Sequence, residues 1–146
     1  MYIHSLSATI YPMDSTQHVY IAVIDDDDSI CLSMSRLLRA AHFQPVSYRS
    51  AEAFLTDKNR PKFGCLVLDI QLQGMSGLDL SKRLLAVQDN TPVVFITAQD
   101  NSDVRAQAEA ANCAGYFRKI NSGADVLAAI RRAVNLEGSS SSKDTQ

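Results

Sequence analysis

The 146-residue chain is predicted to fold as a doubly wound α/β domain, with a five-stranded parallel sheet flanked by five helices. Two observations carry this prediction. Short, continuous apolar runs alternate with longer amphipathic stretches about five times, the pattern of strand–crossover–strand units with helices on both faces of a sheet. The best of the apolar runs also stop at an acid or a hydroxyl, as strands buried on both faces and ending at a polar edge do.

The elements follow in order. Val19-Tyr20-Ile21-Ala22-Val23-Ile24 is the first strand and stops at Asp25. Ile30, Met34, Leu37, Leu38 and Ala41 recur at helical spacing and predict the first helix. Gln44 to Tyr48 is a short second strand, after which Ser50 is placed to cap a helix through Ala51–Leu55. Cys65-Leu66-Val67-Leu68 is the third strand and stops at Asp69. A loop with Gly74 and Gly77 leads to a helix whose apolar face is Leu80, Leu84, Leu85 and Val87. Pro92 opens the fourth strand, Val93–Ile96, which ends at Thr97. An alanine-rich helix spans about Ser102–Ala111, with Asn112 as its left-handed C-terminal residue. Gly115-Tyr116-Phe117 is a brief fifth strand ending near Lys119, and Val126, Leu127, Ile130, Ala133 and Val134 mark the last helix.

Three regions are assigned: residues 1–18 as an N-terminal extension, 19–135 as the folded domain, and 136–146 as a flexible linker or tail. The tail assignment rests on the run EGSSSSKDTQ, which has no apolar surface to bury. A formal net charge of -2 disfavours nucleic-acid binding by this segment, because that needs a basic face. Cys31, Cys65 and Cys113 are far apart and odd in number, so they are read as small buried hydrophobes in a reducing compartment. His4, His18 and His42 have no zinc-site spacing. No apolar run is long enough to span a membrane, and the N-terminus lacks signal-peptide features. A cytoplasmic location is expected.

In parallel α/β sheets, sites form beyond the carboxyl ends of the strands. Asp25, Asp26, Asp69, Thr97 and Lys119 should therefore converge on one edge. Three carboxylates in one pocket repel one another unless a cation sits among them, and oxygen donors of this kind suit Mg²⁺. Asp69 is then a carboxylate nucleophile able to form an acyl phosphate. Thr97 offers a hydroxyl and Lys119 a point charge to phosphoryl oxygens, while the small Ala98 leaves room for a donor to approach. Asp27 and Asp28 are assigned instead to the start of the first helix, where acids are favourable.

The segments VIDDDDSI, SAEAFL, LVLDIQLQGMSG, VVFITA and GYFRK together resemble a CheY-like receiver domain, with local wording similar to receivers of the FixJ type. The resemblance covers Val19 to about Val134. It implies strand order 2-1-3-4-5, a histidine kinase as phosphodonor, Asp69 as phosphoacceptor, and a response-regulator role in a two-component phosphorelay. Mg²⁺ would be held by Asp26 and Asp69 directly, by Asp25 mainly through water, and by the backbone carbonyl of Gln71. Thr97 would follow the phosphoryl group and Tyr116 would change rotamer with it. That change would reshape the face of the fourth helix, fifth strand and fifth helix, where homodimerisation is expected. Any DNA-binding output would lie outside this chain.

Two positions depart from the family pattern. Ile120 follows Lys119 where proline with a cis bond is usual, and cis before a non-proline residue costs roughly 2.5–4 kcal/mol, so a trans bond is expected. Gln73 replaces a usual proline in the loop after Asp69, which is expected to loosen it. The alternative readings are a degenerate receiver that only docks or dimerises, and a small Mg²⁺-dependent aspartyl phosphatase. The second lacks an acid/base two residues after the nucleophile, where this chain has Gln71.

Overall fold

The computed structural model describes residues 19–119 and 123–144, the last nine of these as backbone only. The expectations for residues 1–18 and for the peptide bond at Ile120 lie outside the described residues.

Five strands alternate with five helices: β1 (Tyr20–Ile24), α1 (Asp28–Ala40), β2 (Gln44–Tyr48), α2 (Ala51–Thr56), β3 (Phe63–Asp69), α3 (Gly77–Ala86), β4 (Val93–Thr97), α4 (Ser102–Glu109), β5 (Cys113–Arg118) and α5 (Gly123–Asp144). The strands form one parallel sheet in the order β2-β1-β3-β4-β5.

The continuous apolar strands are explained by the two layers they feed. Successive side chains leave a strand on opposite faces, so β1 sends Ala22 and Ile24 to one core and Ile21 and Val23 to the other. The first core holds Phe54, Leu66, Leu68, Leu80 and Phe95. The second holds Leu38, Val67, Ile96 and Ile130 beneath α1 and α5. Burying each such side chain contributes roughly 1.5–3 kcal/mol.

Helix starts are set by short polar caps. Asp27 accepts from Ser29 N and Ile30 N, Ser50 from Ala53 N, Ser76 from Asp79 N, and Asn101 from Val104 N. The aspartate pair 27–28 is therefore a cap and first helical turn, as expected. Asn112 does end its segment in left-handed backbone, and so do His42 and Gln88, which carry no glycine signal.

Three details correct the sequence reading. The first helix buries Cys31, Ser35 and Leu38, while Ile30, Met34 and Leu37 flank them, half-buried. Ser35 is accommodated because its hydroxyl lies 3.2 Å from that of Ser47. Val87 is the C-cap of α3 and 71% exposed, since the chain turns away there before a fourth helical turn can face the core. Finally, α5 stays helical past Asn135 through the serine run to Asp144. Each residue added to an existing helix gains one hydrogen bond, and no proline interrupts the run.

Candidate functional site at the carboxyl edge of the sheet

Sheet register assembles the site. Ile24 of β1 pairs with Leu68 of β3, so the next residues, Asp25 and Asp69, become neighbours. Ile96 pairs with Asp69 across β3 and β4, and Thr97 with Arg118 across β4 and β5, which brings Lys119 to the same edge. The Lys119 N–H donates to Thr97 O at 2.9 Å, fixing its backbone to β4.

Asp25 is 0% and Asp69 1% exposed, whereas Asp26 is exposed. Carboxylate oxygens from all three lie within 4.8 Å of one another. Lys119 Nζ sits between the two buried acids, 3.1 Å from Asp69 Oδ2 and 3.1 and 3.2 Å from the two Asp25 oxygens. Backbone donors complete part of the shell: Asp27 N to Asp25 Oδ1 at 2.9 Å and Gln71 N to Asp69 Oδ1 at 3.0 Å. Asp25 Oδ2 is buried and takes no aligned hydrogen bond among the described residues; the ammonium lies in ion-pair range only.

Burial pushes the Asp69 carboxyl up to about 6, with the Gln71 N–H opposing, Asp25 adding to the rise, and Lys119 pulling back. For Lys119 burial works against the charge, but the hydrogen bonds to Asp25 and Asp69 outweigh it and hold the ammonium above its ordinary range. Two buried carboxylates thus face one ammonium, with the exposed Asp26 carboxylate close by. Burying charge without full pairing is costly, and Asp25 Oδ2, held by an ion pair but by no aligned hydrogen bond, is the sharpest sign of it. Hard oxygen donors this close, one of them unsatisfied, fit a small divalent cation such as Mg²⁺.

The structure brings Asp25, Asp26, Asp69 and Lys119 into one cluster, with Gln71 beside it. Thr97 is buried at the edge, but its hydroxyl donates to Gln99 O at 2.7 Å and accepts from Gln99 N at 3.2 Å. Ala98 is exposed at the rim. Tyr116 stands on the outer face, where its hydroxyl donates to Asp100 Oδ1 at 3.2 Å and the Arg105 guanidinium lies 4.7 Å over its ring. Arg105 also pairs with Asp100 at 3.7 Å and Glu109 at 3.5 Å.

Sequence reasoning missed Gln99, Asp100 and Arg105, because a partner in a neighbouring loop or helix leaves no periodic signal. It also missed Glu52, whose Oε2 accepts from Met75 N at 2.8 Å in the loop after Asp69.

The comparisons agree with this architecture. The response regulator receiver domain model matches residues 21–131. Over 120 residues the chain is 32% identical to response regulator protein TmoT of Ectopseudomonas mendocina, covering 82% of this chain and 54% of TmoT. It is 31% identical over 107 residues to transcriptional regulatory protein FixJ of Bradyrhizobium diazoefficiens, covering 73% of this chain and 51% of FixJ. The low-resolution structure of response regulator StyR is similar with a TM-score of 0.78 at 32% identity, over 88% of this chain and 66% of that one. The chain spans about half the length of the curated relatives it matches. With its five-stranded sheet, its edge cluster and these similarities together, the chain belongs to the response regulator receiver domain family, the CheY-like signalling domain of two-component systems.

Proposed function

We propose that this receiver accepts a phosphoryl group from a histidine kinase on Asp69, in a Mg²⁺-dependent reaction, and changes conformation to control an output. The observation that carries the reading is Lys119 Nζ, 3.1 Å from both Asp25 and Asp69 in a buried pocket beside Asp26.

Asp25, Asp26, Asp69 and the Gln71 carbonyl would hold Mg²⁺, which supplies charge neutralisation for the incoming phosphoryl group. With its carboxyl at about 6, Asp69 is mostly ionised at neutral pH even without a cation, so a nucleophilic oxygen is available. It attacks phosphorus in line, and the donor imidazole leaves with the electron pair of the broken N–P bond. Lys119 can exchange its contact with Asp69 Oδ2 for a phosphoryl oxygen. Ala98 leaves the approach open.

Thr97 reaches the phosphoryl group only by giving up its bond to Gln99, and Tyr116 turns inward only by leaving Asp100 and Arg105. Phosphorylation then acts as a population shift, favouring the conformation in which those exchanges have been made. The face of α4, β5 and α5 is the surface such a shift reshapes, and a homodimer there is part of this proposal. The domain turns over no separate substrate, works in the cytoplasm, and binds no nucleic acid through this segment.

A docking-only receiver is the second reading, and Ile120 after Lys119 is the sequence feature in its favour; the position of Nζ between Asp25 and Asp69 supports the phosphoacceptor. An aspartyl phosphatase is disfavoured by Gln71, whose amide is no acid/base. Incubation with acetyl phosphate, with and without Mg²⁺, followed by intact mass is the test. A Mg²⁺-dependent gain of one phosphoryl group, absent from Asp69→Asn, is expected. No gain under any condition would leave the docking module.

A further inference from the structure

The loop from Gln71 to Ser76 joins the edge cluster to α3. At one end the Gln71 N–H bonds Asp69 Oδ1. At the other the Gly77 N–H bonds Ile70 O at 3.0 Å, and a side chain at Gly77 would strike the Asp69 carbonyl. No proline stiffens the segment Gln71-Leu72-Gln73-Gly74-Met75-Ser76, and Gly74, at φ +78, has the freest backbone in it.

Glu52, on a different element, closes this loop. Its Oε2 accepts the Met75 N–H at 2.8 Å. Gly74 allows the approach, since a Cβ there would stand 2.8 Å from the same oxygen. The Met75 N–H holds the Glu52 carboxyl below its ordinary range, as a hydrogen bond to the ionised form does.

We propose that Glu52 is a positioning residue for the cation in the acidic pocket: by anchoring Met75 it holds the Gln71–Ser76 loop in the shape that keeps Asp69 and Gln71 aligned with Asp25 and Asp26. The inference rests on the reading of that cluster as a Mg²⁺ site. Outer partners that orient ligands commonly matter to affinity although they touch no metal. Glu52 lies on the exposed side of α2, so its loss costs little core packing.

The test compares the full chain with Glu52→Ala and Glu52→Gln, measuring Mg²⁺ affinity by titration and Met75 amide exchange in metal-free protein. Glu52→Ala should weaken Mg²⁺ binding about three- to tenfold and speed Met75 exchange about tenfold, with the melting temperature nearly unchanged. Glu52→Gln keeps a carbonyl acceptor and should recover most of both. Wild-type binding with unaltered affinity in Glu52→Ala would overturn the role of Glu52 alone. Absence of Mg²⁺ binding by the wild type would overturn the cation-site reading, and this inference with it.

Discussion

The pocket around Asp69 and the surface around Tyr116 are both charge clusters at the end of the sheet, yet they are built on opposite terms. In the pocket two buried carboxylates share one ammonium beside an exposed third, and one buried oxygen has no hydrogen bond among the described residues. At Tyr116 two exposed acids share Arg105, whose guanidinium lies over the ring, and the hydroxyl donates to one of those acids, Asp100. A buried imbalance lowers stability until a ligand corrects it, whereas an exposed network breaks and reforms at small cost. The first has the physics of a binding site and the second that of a reversible catch.

Removing the pocket's cation should show the contrast at its largest. Lys119→Ala leaves Asp25 and Asp69 buried together, and should cost about 3–5 kcal/mol in urea unfolding of metal-free protein at pH 8. The loss should shrink towards pH 5, because an unpaired carboxylate can take up a proton there.

The opposite change should stabilise. The folded Asp69 carboxyl, at about 6, lies above its ordinary 3.8, so the folded state binds the proton more tightly than the unfolded one. Metal-free stability should therefore fall as pH rises from about 4 to about 6 and stay level above that. Asp69→Asn should remove this fall and gain about 1–3 kcal/mol at pH 7, read as an upward shift in the unfolding midpoint.

At the Tyr116 surface the effect on stability should be smallest. Arg105→Ala should change it by no more than about 0.5 kcal/mol, yet release the ring, with the Tyr116 side-chain NMR signals shifting as the cation leaves. High salt should move the same signals in wild type and not in the variant. A large loss of stability in Arg105→Ala would erase the distinction between the two regions.

The same division governs what was readable beforehand. Strands buried on both faces announce themselves as unbroken apolar runs, and their ends delivered Asp25, Asp69 and Thr97 to one edge by register alone. Lys119 was placed there too, although Ile120 follows it in place of the usual proline, and its Nζ lies between the two buried acids. Side-chain directions were less legible. Nothing in the order of residues says that the Thr97 hydroxyl turns back to Gln99, that Tyr116 meets Asp100, or that Glu52 reaches Met75. Ser35 took a core position because Ser47 lay opposite, and Val87 lost one because its helix ended. Each of these depends on a partner brought near only by the fold.

The most direct test of the account is chemical. Borohydride reduces an acyl phosphate on aspartate to homoserine, so the chain can be treated with acetyl phosphate and Mg²⁺, reduced, digested and sequenced by mass spectrometry. The account predicts homoserine at position 69, only with Mg²⁺ present. Homoserine at position 25 or 26, or at no position at all, would contradict it.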